Sequence, residues 1–353
     1  MASAGKGSLK WTTEPATGES YVVSNFEGER VTIPGSKTVY RILASSKQTQ
    51  GKIAVFTTGG VAGDAPGFHY HNEAHDVFLI TKGFLKLWNG DKCRILGPGD
   101  FAYIPPTIIH NPEPLGPHTE TFGLVAPGDW IDFFRYIGEP YSGTVTAEFD
   151  NRNIKEHIMG KMMKADRDYD VHFVRDYHPP EVKDFDENDS VIPEGQSPYY
   201  LKANTGPRWL AGSVLSRPFV TTAQNGGKFA ITSLESSKDY ESRGNVFSRF
   251  LTFKNTDHCF SVQEGVLIVK LKDGEEQTVR EGETAVIQAG QSFSLSFGSK
   301  YVRAWSIASG DGVETVIQTI GKPFKGFVLP EEPPELDDLE LAETLKSIGV
   351  DLD

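Results

Sequence analysis

Cysteine is nearly absent. Cys93 and Cys259 are the two in 353 residues, so neither a disulfide framework nor a cysteine-rich zinc module holds this chain together, and both read as small core residues. Long apolar runs are missing as well. No stretch approaches the ~18 residues that span a bilayer, and the N-terminus MASAGKGSLKWTTEP has no apolar segment of signal-peptide length, so a soluble, cytoplasmic protein is expected. A basic surplus is the third absence. The 35 Lys and Arg against 48 Asp and Glu give a net charge of −13, which argues against nucleic acid or an anionic membrane as partner. What remains is a chain long enough for two ordinary domains, each with its own apolar core.

Short β-branched and aromatic runs bounded by Gly, Pro and Asp dominate residues 20–140, among them KIAVFTT, DVFLITKG, FLKLWNGD and FAYIPP. Their close spacing, with no helical pattern between them, predicts an antiparallel sandwich or barrel and not βαβ units. From about 147 the texture changes to a helix-competent NRNIKEHIMGKMMKA and then to a segment rich in Pro and acid. Strand-like runs return from about 211 to 328. The expected organisation is an all-β domain over 1–146, a connector with short helices over 147–210, a second all-β domain over 211–328, and an acidic segment over 329–353. In that last segment Leu339, Leu341, Leu345 and Ile348 fall near one face of a short helix.

The two halves repeat each other. Asp76-VFLITK-Gly83 aligns with His258-CFSVQE-Gly265, and Gly99-Asp100-FAYIP with Gly282-Glu283-TAVIQ, at a period of about 182 residues. His110 then falls opposite Phe293. The first copy keeps His69, His71 and His110, while the second offers a lone His258, which reads as a core or rim histidine.

His69-Tyr70-His71, followed by Asp76 and His110, places four potential metal ligands in one copy. Residues two apart on a strand share a face, so His69 and His71 can reach one ion while Tyr70 points away. Asp76 keeps the register of Phe78 and Ile80 when counted back from Gly83, whereas His75 lies one residue out. His75 and Glu73 stay open as alternatives for the fourth position. His118 reads as a loop histidine.

As a pattern, G-F-H-x-H-x4-D-x6-G followed by G-D-x3-I-P-x4-H resembles the two signature motifs of the cupin superfamily, whose domains are jelly-roll β-barrels. Duplication over nearly the whole chain, with HxHx4 spacing, looks most like the bicupin quercetin 2,3-dioxygenases of fungi. The resemblance implies a metal in the first cupin (Cu, Fe, Ni or Mn), with His69, His71 and His110 as ligands. It also implies cleavage of a flavonol by O2 with release of carbon monoxide, and a possible homodimer. Where the family has a glutamate that touches metal and substrate, this chain has Asp76, one methylene shorter.

Three imidazoles and a carboxylate leave open positions on a first-row metal, as a catalytic site requires. The expected enzyme is an oxidoreductase in which Asp76 takes a proton from an enol or phenol, an aromatic or polyketide-like substrate of secondary metabolism, before reaction with O2. Phe78, Ile80, Trp88, Phe101, Tyr103 and Phe122 are the expected pocket walls. The shorter Asp76 keeps two alternatives open: a redox-neutral isomerase, cyclase or decarboxylase using the metal as Lewis acid, and a non-catalytic bicupin that binds a small molecule.

Overall fold

Runs rich in Val, Ile, Phe and Thr form antiparallel ladders throughout a computed structural model that describes residues 9–336 and 338–352. The chain separates into two units, Asn25–Thr205, and the segment up to Ser24 together with the chain from Gly206 onward. Each is mostly strand with a few short helices, the jelly-roll arrangement expected, although the hydrogen-bonded ladders stay open and do not close into a continuous barrel. No helix among the described residues is long and apolar enough to cross a membrane.

In the unit Asn25–Thr205 two long strands, His75–Asn89 and His110–Ala126, form the central pair. Their register slips between Leu115 and Glu120, where Gly83 takes φ 70°. A Cβ at Gly83 would collide with the carbonyl of His118, and the aligned Gly265 (φ 79°) meets the carbonyl of Tyr301 in the same way, so both repeats need glycine at this turn. The Gly-Asp pair of the second motif is also structural. The Asp100 carboxylate accepts the N–H of Gly97 at 2.7 Å and of Ala203 at 2.7 Å, closing one turn and tying down the chain 103 residues on.

The boundaries differ from those expected from composition. Strand Lys10–Thr12 pairs with Tyr21–Ser24, which in turn pairs with Glu283–Ile287 of the second repeat, so the first two strands belong to the C-terminal unit. The Pro- and acid-rich connector is no free linker but part of the first unit. His172–Phe173 pairs with His69–Tyr70, Tyr199–Leu201 pairs with Phe101–Ile104, and the buried Arg94 donates to Asp189 (2.8 Å) and Asp186 (2.9 Å). Local composition cannot show such pairings because each partner lies far away in sequence.

The C-terminal unit stacks a nine-stranded and a five-stranded sheet over one apolar core that includes Phe247, Phe260, Phe293 and Phe297. Helix Asp338–Ser347 adds Leu341 and Leu345 to it, but Leu339 is 78% exposed, half a turn from the buried stripe. Cys93 and Cys259 are free and buried.

His258 is enclosed by Phe253, Phe260 and Phe293, with ring centroids 4.6–5.6 Å away. Burial lowers it to about 3. Nearby Glu314, also fully buried, accepts the N–H of Gly312 on Oε1 while Oε2 has no hydrogen-bond partner, and burial lifts it to about 7. A carboxyl raised in the folded state stabilises the fold below its unfolded value and loses that contribution as pH rises through the folded one. Glu314→Gln is therefore expected to gain stability relative to the parent between about pH 4.5 and pH 7, by roughly 3 kcal/mol at most. Buried neutral His258 acts in the opposite direction, losing stability as pH falls from about 6.5 toward 3, so it is the difference between parent and variant that isolates Glu314. Urea melts of the two proteins at pH 4.5 and 8 read that difference, and a difference independent of pH would refute it.

Candidate metal centre

Strand pairing brings the histidines together. His69 lies on the two-residue strand His69–Tyr70, directly opposite His110 at the start of its long strand, and their rings are 4.2 Å apart. His71 follows on the loop beyond, its ring 5.2 Å from each of the other two. All three are buried, and one nitrogen from each lies within 4.8 Å of the others.

Their tautomers are fixed by the backbone. His69 Nδ1 is 2.7 Å from the carbonyl of Gly67, His71 Nδ1 2.6 Å from that of Asp170, and His110 Nδ1 2.9 Å from that of Ile108. A carbonyl only accepts, so each Nδ1 carries a proton and each ring turns its Nε2 inward. Asp76 Oδ2 approaches His110 Nε2 at 3.0 Å and His71 Nε2 at 3.2 Å, the latter without hydrogen-bond geometry, so that His71 Nε2 has no hydrogen-bond partner. Two donors bound ~2.1 Å from one ion at a right angle sit ~3.0 Å from each other, so these separations suit neighbouring ligands of a first-row metal.

The electrostatics of the protein without metal fit the same use. Burial, with His110 and His71 adding to it, drives His69 well below its ordinary value. Burial also pulls on His71, but the Asp76 carboxylate outweighs it and holds His71 above its ordinary value. Asp76 itself would be raised by burial, yet His71 and His110 hold it well below the usual carboxylate range. A divalent cation would replace protons as the partner of this carboxylate.

The alternatives for the fourth position lie elsewhere. His75 is turned to the other face of its strand, with Nδ1 2.8 Å from the hydroxyl of Tyr103. Glu73 is exposed. Tyr70 points away and stacks on His172, and His118 pairs with Glu120 at 2.6 Å.

A cavity of about 120 Å³ opens beside His69, His110 and Asp76. Of the six expected wall residues, Phe78 lines it. Register explains the rest, because residues directly opposite on neighbouring strands share a face. Phe101 and Phe122 both oppose Leu79, and Tyr103 opposes Val77, which places all three on the face away from Asp76 and Phe78. Ile80 keeps the inward register but packs into the core with Leu87, Leu96 and Ala102. Trp88 packs against Phe68 and donates its indole N–H to the carbonyl of Pro180 at 3.0 Å.

The walls instead come from Tyr40 and Phe56, from Trp130, Phe133 and Phe134, and from Val171 and Phe173 of the connector. Gly123 leaves room for Phe56, whose ring would lie 2.6 Å from a Cβ there. Trp130, Phe133, Phe134 and Ile137 have the i, i+3, i+4, i+7 spacing of one helical face, and that pattern is the signal in the sequence that marks this wall. Nothing local marks Val171 or Phe173.

Fold and site together give two jelly-roll units of the cupin kind of fold, with a histidine cluster in one of them. Residues 59–118 match the family model described as cupin domain. Over 331 residues the chain is 23% identical to quercetin 2,3-dioxygenase of Bacillus subtilis (strain 168), covering 94% of each. Over 338 residues it is 22% identical to quercetin 2,3-dioxygenase of Aspergillus japonicus, covering 88% of this chain and 95% of that one. Two solved structures share the fold: an oxalate decarboxylase of Bacillus subtilis (TM-score 0.50, 12% identity, 82% of this chain and 77% of that one) and protein Ylba of E. coli (TM-score 0.51, 10% identity, 84% and 94%).

Elemental analysis is expected to find one divalent metal per chain. His69→Ala, His71→Ala and His110→Ala should each lower that content by an order of magnitude or more. His258→Ala, in the apolar core of the other unit, should leave it unchanged.

Proposed function

We propose that this protein is a metal-dependent dioxygenase of the quercetinase type, acting on an enol or phenol that seats one ring in the aromatic cavity beside Asp76. The observation that carries this reading is the cluster of three histidines with one buried carboxylate, of which His69, His110 and Asp76 line that cavity. Similarity along nearly the full length of two proteins named quercetin 2,3-dioxygenase supports it. His69, His71, His110 and Asp76 hold the ion, which when bound supplies Lewis acidity toward a substrate oxygen and redox chemistry toward O2.

The chain's own residues do the rest. Asp76, ionised between His71 and His110, accepts the enol or phenol proton through the oxygen not held against the imidazoles. Phe78, Trp130 and Phe134 press on the ring and exclude water, which strengthens every polar interaction inside. A cavity of ~150 Å³ takes a benzene ring, so about 120 Å³ suits one ring of the substrate. A three-ring flavonol exceeds this volume and would require displacement of the Val171 and Phe173 wall.

O2 uptake and carbon monoxide release by the metal-loaded protein, measured with monocyclic hydroxypyranones and with tricyclic flavonols, test the reading. The smaller substrates should have the higher kcat/KM. No O2 uptake with any enol or phenol would remove the dioxygenase. Asp76→Asn should lower kcat by ~10²–10⁴ while metal content changes far less, and Asp76→Glu should restore part of it.

One observation favours a second reading. Asp76 Oδ2 lies within 3.2 Å of two ligand nitrogens, so the short side chain is largely committed to the ion, and the metal then serves as Lewis acid in a redox-neutral isomerisation or decarboxylation. Full turnover with Zn and without O2 would establish it.

A further inference from the structure

We propose that Asp170 is a positioning residue that couples the metal centre to the cavity wall, so that metal binding and closure of the connector strengthen each other. This rests on His69, His71 and His110 being the metal ligands.

Asp170 holds the ligand loop at four points. Its carbonyl accepts the Nδ1–H of His71 at 2.6 Å. Its carboxylate accepts three successive backbone N–H groups just beyond that ligand, Asn72 at 2.7 Å on Oδ1, and Glu73 at 2.8 Å and Ala74 at 3.2 Å on Oδ2. A run of convergent amides is a ready anion seat, and here a side chain 98 residues away occupies it. Asp170 reaches these groups with φ 53°, a left-handed conformation in which Asp and Asn are the commonest residues after glycine. The three amides outweigh the effect of burial and keep the carboxyl below its ordinary value.

The neighbouring residues grip the second ligand and build the pocket. Phe173 lies opposite His69 in the ladder, its ring 5.7 Å from the imidazole, and His172 lies opposite Tyr70. Val171 is buried, and both Val171 and Phe173 line the cavity. One four-residue stretch therefore fixes the ring of His71, pairs with the strand of His69, and forms the wall that a substrate meets. An ion that orders His69 and His71 must order this stretch, and by linkage closure of the stretch raises metal affinity by the same factor. The carboxylate clasp is the part of the coupling that substitution can remove while the positive φ is kept.

The test uses the full chain stripped with chelator and titrated with Co(II), whose visible absorption reports binding, alongside hydrogen exchange of residues 71–74 and 165–174. In the parent, Co(II) should slow exchange in both segments. Asp170→Gly keeps the backbone conformation and loses the clasp. It should weaken Co(II) binding by ~10–100-fold and abolish the slowing in 165–174. Asp170→Asn keeps an acceptor and should fall between the two, which serves if the glycine variant does not fold, as judged by exchange in the strand His75–Asn89. Parent-like affinity together with parent-like slowing in either folded variant overturns the coupling. Failure of the parent itself to bind Co(II) overturns the metal-centre reading, and the coupling with it.

Discussion

Hydrogen bonds from three imidazole Nδ1–H groups to backbone carbonyls are the interaction on which the first unit's histidine cluster depends. A buried polar group left without a partner costs ~1–3 kcal/mol, and the three imidazoles and Asp76 are all buried, with His69, His110 and Asp76 lining a cavity walled mostly by aromatic rings. Giving each Nδ1–H to a carbonyl satisfies half of every ring and fixes which nitrogen faces inward. What is left, three inward nitrogens and a carboxylate, is stable as a set when a cation sits among them. The acceptors come from three separate places: Gly67 and Ile108, each two residues before its histidine, and Asp170 in the connector. The centre is thus a property of the assembled unit and not of the motif alone.

The second unit shows what the same repeat becomes without that arrangement. Phe293 stands where His110 would be, and His258 aligns with Asp76. Phe253, Phe260 and Phe293 close around His258, so a space that would hold a cation and a ligand is filled by phenyl rings. Close packing of this kind stabilises the unit, since apolar area contributes ~25 cal/mol per Å² buried. The polar residues His258 and Glu314 are left in surroundings that press both toward their neutral forms. The two copies thus differ in kind: one buries a cluster of polar side chains beside a cavity, the other an apolar interior.

Much of this was legible in the residues. Alternation and turn glycines mark the strands, and the spacing of His69, His71 and His110 marks the three histidines that the fold brings together. Counting back from Gly83 separates Asp76 from His75 correctly, because alternation on a single strand is local. The same alternation fails across strands. Phe101, Tyr103 and Phe122 are as aromatic and as buried as real wall residues, and the pairing with Val77 and Leu79 turns them to the other face. The connector misleads for a related reason. Its Pro and acidic residues read as a linker, yet Asp189 meets a buried arginine and Phe173 pairs with His69.

What the sequence determined by itself is the class of fold, the duplication and the candidate ligand residues, because these rest on period-two alternation, glycine turns and donor chemistry within short windows. Tertiary structure decided which face each strand turns to the cavity, which carbonyl fixes each imidazole, and which distant segment walls the site. The physical reason is that those outcomes are set by pairing register and loop closure between residues tens to hundreds of positions apart, and no local pattern encodes the partner.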